Sequence, residues 1–74
     1  MTEAEKIEMI INALEAEEPK DIHPAAALAD IPEWDSMGMI NTIMMLSDEF
    51  GREAEYSDLK KLLTVGDLMK LMER

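Results

Sequence analysis

The stretch WDSMGMINTIMMLSDEFG spans residues 34–51 and contains the most strongly patterned helix that the sequence predicts. Asp35 is a typical N-cap residue, whose side chain accepts from the first free backbone N–H groups. Gly51 suits the left-handed position just past a helix C-terminus. We therefore expect a helix from Ser36 to Phe50. At about 100° per residue, one apolar stripe should face the core; it consists of Met39, Ile43, Leu46 and Phe50.

The same helix carries a second apolar stripe, turned well away from the first. It consists of Met37, Ile40 and Met44, bordered by Asn41 and Asp48. A core helix needs only one stripe, and an exposed apolar strip rimmed by polar groups commonly marks a contact surface. Methionine suits such a surface because its flexible thioether adapts to different partners. Two interpretations stay open: a partner binds this stripe, or a loop or another helix covers it.

A first helix is predicted from Thr2 to Ala16. Thr2 and Glu5 have the spacing of a capping box, and Pro19 should end the segment. A long connection follows from Glu17 to Trp34, and connections of this length are uncommon in compact domains. We expect its apolar side chains to pin it to the core. These side chains are Ile22, Leu28, Ile31 and Trp34.

The C-terminal third predicts two more helices. After a polar connection over residues 52–56, Ser57 should cap a short helix that carries Leu59, Leu62 and Leu63. Thr64, followed by Asp67, should open a fourth, with an apolar stripe of Val65, Leu68, Met69 and Met72. Residues 1–74 are thus predicted to form a single all-α domain. We expect a four-helix bundle of three longer helices and a short third one, with a long loop between helices 1 and 2.

Composition limits the classes of function. A chain of 74 residues has room for one small core, so no deep catalytic pocket is expected. Seventeen acids against seven bases give a formal charge of −10, which disfavours nucleic-acid and anionic membrane partners. A basic protein partner is the complement; the alternative is that the acids only keep a small helical domain soluble.

The absence of cysteine excludes disulfides and thiolate metal sites and fits a reducing compartment. No apolar run approaches the roughly 20 residues that span a bilayer. The acidic N-terminus lacks the basic flank and apolar core of a signal peptide. We expect a cytoplasmic, monomeric protein.

Ser36 is a weak candidate for a catalytic nucleophile. It would need a base and an orienting group, but the single histidine, His23, lies in the predicted loop, and no G-x-S-x-G elbow surrounds the serine. The acids at positions 30, 33 and 35 lack the alternating ligands and central glycine of a calcium loop. No constellation of residues predicts an enzyme or a metal site.

An attachment site at Ser36 is physically sensible. At the first helical position its hydroxyl should point to solvent, and Gly38 in the first turn should keep the approach open. A phosphodiester there would be favoured by the helix dipole and the free N–H groups. The same features fit an ordinary helix start, so the local sequence leaves both interpretations open.

Asp35-Ser36-Met37, in an acidic chain of this length and helix pattern, resembles the acyl carrier protein family of phosphopantetheine carriers. Its members have Asp-Ser-Leu at the start of the second helix, and the run from Glu33 to Asn41 is similar to free-standing carriers with Trp-Asp-Ser-Leu. The resemblance covers essentially the whole chain. It implies that a phosphopantetheinyl transferase attaches 4′-phosphopantetheine from coenzyme A to Ser36, with Asp35 as the flanking motif residue, and that the chain catalyses nothing itself.

The resemblance also implies partners and cargo. The arm would hold an acyl thioester, passed between loading and transferring enzymes with basic docking patches. Partner enzymes recognise the family's second helix, and Met37, Ile40 and Met44 match its exposed apolar positions. The expected partner-binding surface comprises these three residues with Asn41 and Asp48 beside them. Some members shelter the acyl chain in a gap between helices, which would be lined by Ile43, Leu46, Leu59 and Leu62.

Departures from the family pattern refine this expectation. Met37 replaces the signature leucine at similar volume, and Ala54 replaces a usually larger aliphatic residue. Asn41 and Ser47 stand where carriers of fatty-acid synthesis often have acids, which favours a specialised pathway of fatty acid, polyketide, lipid or glycan modification type.

Two alternatives remain: an aminoacyl or peptidyl carrier serving an adenylating enzyme, and an unmodified acidic adaptor whose methionine stripe binds a partner helix or groove.

Overall fold

The computed structural model describes residues 2–73, and every regular element in that range is helical. Four α-helices follow in order: α1 Glu3–Leu14, α2 Ser36–Phe50, α3 Tyr56–Lys60 and α4 Val65–Met69. Two 3₁₀ helices, Pro19–Asp21 and Leu28–Asp30, lie between α1 and α2. The predicted all-α class is confirmed. The predicted lengths are partly wrong, because two α-helices are long and the fourth, like the third, has only five residues.

Local hydrogen bonds explain where α1 begins and ends. Thr2 Oγ1 accepts from the Glu5 N–H at 3.2 Å, and Glu5 Oε1 accepts from the Thr2 N–H at 3.1 Å. The Thr2 N–H, and then its hydroxyl, hold the pKa of the Glu5 carboxyl below its ordinary value. At the other end Glu15 is left-handed (φ 53°), and the Ala16 N–H donates to Ile11 O at 3.1 Å. This turn, and not Pro19, ends α1 before the predicted Ala16.

The long connection is packed down and tied to the start of α4. Ile22, Leu28 and Ile31 are buried, and Trp34 is half-buried against the core, as predicted. Three backbone hydrogen bonds of 2.9 Å join the connection to the segment that enters α4. They run from the N–H of Leu28 to Leu63 O, from Val65 to Ala26 O and from Gly66 to Pro24 O. The connection is therefore structural, despite its three prolines.

Both short helices begin with acid-containing caps. At α4, Asp67 Oδ2 accepts from the N–H groups of Leu63 and Thr64, and Thr64 Oγ1 accepts from the Asp67 N–H. These N–H donors hold the pKa of the Asp67 carboxyl below its ordinary value. The predicted Thr64 cap is confirmed. At α3 the N-cap is Glu55, whose N–H donates to Asp58 Oδ2 at 3.0 Å, so the predicted Ser57 cap is wrong.

One hydrophobic core collects side chains from all four helices and the long connection. Its buried members are Ile10, Leu14, Ile22, Leu28, Ile31, Leu46, Phe50, Leu59, Val65, Leu68 and Met72. On α2, Met39 and Ile43 of the predicted core stripe are only half-buried, while Gly38 and Thr42 are buried. Leu63 is exposed. Among the described residues, no helix has the length and apolar character to cross a membrane.

Candidate functional site

Ser36 is the first residue of α2, and its side chain is exposed. Asp35 precedes it in extended conformation (φ −119°, ψ −169°), and Asp35 Oδ1 accepts from the Gly38 N–H at 2.9 Å. The predicted helix start and N-cap are therefore confirmed. Asp35 orients the first turn, and the serine hydroxyl is presented at the surface.

A tyrosine from α3 contacts this hydroxyl. Tyr56 Oη lies 3.2 Å from Ser36 Oγ, and either atom can be the donor. Lys60, one turn further along α3, places its Nζ 5.3 Å from the centre of the Tyr56 ring. The sequence interpretation missed this contact, since it assigned Tyr56 to the connection after α2. No local signal could have revealed it, because two residues twenty positions apart meet only through the packing of α3 beside α2.

Other polar groups considered from the sequence lie elsewhere. His23 is exposed in the long connection, where it lines a shallow pocket with Asp21 and Asp30. Within residues 2–73 no group of three or more His, Cys, Asp or Glu side chains is arranged to hold a metal ion.

The second stripe of α2 is exposed. Met37, Ile40 and Met44, called here the outward stripe, keep 66%, 45% and 58% of their accessible surface. Asn41 beside it is half-buried, and Asp48 is exposed. The interpretation in which a loop or helix of the described chain covers these residues is wrong. Binding of a partner to the outward stripe stays a prediction.

Gly38 has a different role from the one predicted. It is buried, and a Cβ built on it would collide with the Glu33 carbonyl oxygen and come within 2.9 Å of Leu14 Cδ2. The missing side chain thus lets the end of the long connection and α1 approach the first turn of α2. Gly38 serves close packing beneath the site, and the idea that it opens the approach to Ser36 is wrong.

The residues predicted to line an acyl-chain cavity belong to the packed core. Leu46 and Leu59 are fully buried, and Ile43 and Leu62 are half-buried against them. An open groove of about 490 Å³ lies elsewhere, between α1 and α2. It is lined by Met9, Asn12, Ala13, Asn41, Met44, Met45, Asp48 and Glu49. Three predicted contact residues on α2 thus also border this groove. Whether the chain shelters a cargo remains a prediction.

Comparisons with known proteins add no identification. No model of a protein family matches this chain, and no solved structure matches it.

Proposed function

We propose that this chain is an acyl carrier protein, modified on Ser36 with a 4′-phosphopantetheine arm. The arm would carry acyl intermediates as thioesters between enzymes of a specialised biosynthetic pathway in the cytoplasm. The observation that supports the proposal best is the position of the exposed Ser36 hydroxyl directly beside the outward stripe. The proposal includes the four-helix bundle arrangement of that family, with a shortened fourth helix.

The attachment step needs a hydroxyl on this chain and a base on the transferase. Ser36 Oγ attacks the phosphorus that bears the pantetheine arm in coenzyme A, and an Oγ–P bond forms. The bond from that phosphorus to the bridging oxygen breaks, and adenosine 3′,5′-bisphosphate leaves. The serine proton passes to the transferase's base. The resulting phosphodiester carries a negative charge at the start of the fifteen-residue α2, where free N–H groups and the helix dipole stabilise it.

The outward stripe would hold the transferase while its active site reaches Ser36. Met37 follows the serine directly, and at about 1.5 Å rise per residue Met44 lies roughly 12 Å along the helix from it. A partner surface of ordinary size covers both points. Acids flank the stripe, with Asp35 at one end and Asp48 at the other, so basic groups on the partner would complement them.

Intact-mass spectrometry tests the proposal. The protein is incubated with coenzyme A and several transferases, each shown to be active on a control carrier. Wild type should gain one phosphopantetheine, and Ser36→Ala should gain none. Ser47→Ala is the matched control, because Ser47 is another exposed serine on α2, and it should be modified like wild type.

An unchanged wild-type mass with every active transferase would overturn the carrier proposal. The exposed outward stripe would then favour the adaptor alternative, an unmodified protein that binds its partner through this surface. If modification occurs, loading assays with an adenylating enzyme and amino acids separate an aminoacyl carrier from an acyl carrier.

A further inference from the structure

We propose that Tyr56 and Lys60 of α3 form a phosphate-binding pair for the group attached to Ser36, so that attachment ties α3 to the start of α2. The inference rests on the proposed attachment of a phosphodiester to Ser36. It adds the residues that position the phosphate and a structural consequence of the modification.

The geometry places Tyr56 at the point of attachment. Its hydroxyl lies 3.2 Å from Ser36 Oγ, across the gap between the first residues of two helices. About 36% of the tyrosine surface remains exposed, and Ser36 is exposed as well. Both residues are thus accessible to solvent, into which a phosphate on Ser36 and its arm can extend.

Esterification of Ser36 fixes the direction of this hydrogen bond. In the unmodified protein either hydroxyl can donate. A phosphodiester removes the serine proton, and its oxygens only accept, so the Tyr56 O–H must be the donor. The bond then runs to an anionic group, and hydrogen bonds of this kind are shorter and roughly twice as strong as neutral ones.

Lys60 supplies a positive charge to the same pair. Its ammonium lies over the Tyr56 ring, 5.3 Å from the ring centre, in a cation–π arrangement. The two residues are four positions apart on α3 and share a helix face. Three carboxylates lie near this point in the sequence, Glu55 and Asp58 at the start of α3 and Asp35 before Ser36. The Lys60 ammonium beside the Tyr56 ring offsets part of the repulsion that they would exert on an attached phosphate.

An added hydrogen bond at Tyr56 should stabilise the whole of α3 against local opening. The helix has five residues, and Leu59 is its buried side chain. Helices this short depend on tertiary contacts for stability, and local opening is expected where such contacts are few. A phosphate held by Tyr56 adds a contact at the first residue of α3, so modification should slow the opening of this helix.

Amide hydrogen exchange, measured on unmodified and fully modified protein, tests the inference. In wild type, attachment should slow exchange in α3 by roughly two- to tenfold, the range of one exposed hydrogen bond. The Tyr56→Phe variant keeps the aromatic ring under Lys60 and removes the hydroxyl, so the slowing should be lost. Exchange at residues 7–10 of α1, away from the Leu14 end of that helix that packs against the first turn of α2, serves as the internal reference. Equal slowing in Tyr56→Phe, or no slowing in wild type, overturns the inference.

A second preparation separates this inference from the carrier proposal. Phosphoserine is incorporated genetically at position 36, which supplies a phosphate without any transferase. The same Tyr56-dependent slowing in α3 is expected. If transferases fail on wild type but this preparation shows the effect, the carrier proposal falls and the phosphate-binding pair stands. If the carrier forms but neither preparation shows the effect, only the inference falls.

Discussion

The first half of the inward face of α2 is less apolar than the outward stripe, yet it is the inward face that is buried. The inward face includes Gly38 and Thr42, and both are buried. The outward stripe consists of larger, more apolar side chains, and all three are exposed. Burial on this helix is therefore decided by what the neighbouring elements supply, and the apolar area that they leave uncovered is available to a partner.

The first half of the inward face is buried because Gly38 and Thr42 are small enough to permit close approach of the neighbouring elements. At Gly38 the backbone of Glu33 and the side chain of Leu14 occupy the space that a Cβ would need. One turn later the Thr42 hydroxyl donates to Gly38 O at 2.8 Å, so this polar group is buried without losing a hydrogen bond. Leu46 and Phe50 complete the face with ordinary core packing.

Truncating one residue on each face should give the largest predicted difference in the free energy of unfolding. Leu46→Ala should lower the free energy of unfolding by about 3 kcal/mol, because it removes a fully buried side chain and leaves a cavity. Met44→Ala should change the same quantity by less than about 0.5 kcal/mol, because Met44 is exposed. Urea unfolding followed by circular dichroism measures both. Similar losses for the two variants would show that the face assignment is wrong.

A smaller effect is predicted for the close contact at Gly38. Gly38→Ala should destabilise the protein by about 1–2 kcal/mol, because overpacking against a backbone carbonyl outweighs the gain of roughly 1 kcal/mol in helix propensity. Ser47→Ala, at an exposed position of the same helix, measures the effect of an added alanine without overpacking. Thermal or urea unfolding of the two variants checks the prediction. A Gly38→Ala variant more stable than wild type would contradict the packing role.

Local chemistry explains how much of this could be predicted from the sequence. The bounds of α2 and the caps at Asp35, Gly51 and Thr64 follow from residues within one turn of each helix end. The wrong cap for α3 has a local cause as well, since Ser57 is a better N-cap type than Glu55. The structure begins the helix at Tyr56, with Glu55 as the N-cap, because the Asp58 side chain accepts from the Glu55 N–H.

The remaining errors have tertiary causes. The spacing of apolar residues predicts Met39 and Ile43 as core residues. It does not predict the burial of Gly38 and Thr42, because these residues are buried through close packing and not through hydrophobicity. The length of α4 was overestimated because Met72 stays buried beyond its end. Beyond Met69 the chain turns with bonds from Leu71 N–H to Leu68 O and from Met72 N–H to Met69 O. The contact between Ser36 and Tyr56 required the packing of α3 against α2.

Met44→Glu should have the smallest effect on stability and a large effect on partner binding. A charge on the exposed outward stripe should leave helix content and melting temperature nearly unchanged, while disrupting the apolar contact with a partner. Leu63→Glu is the matched control, because Leu63 is also an exposed apolar residue, 74% accessible, but lies between α3 and α4.

The initial rate at which a phosphopantetheinyl transferase modifies these proteins, followed by intact mass, tests the central claim most directly. Wild type and Leu63→Glu should be modified on Ser36 at similar rates. Met44→Glu should be slower by roughly tenfold, the loss expected for one buried contact of about 1.4 kcal/mol at an interface. Modification of Met44→Glu at the wild-type rate, or a large fall in its melting temperature, would contradict the assignment of the outward stripe as the surface that partners bind.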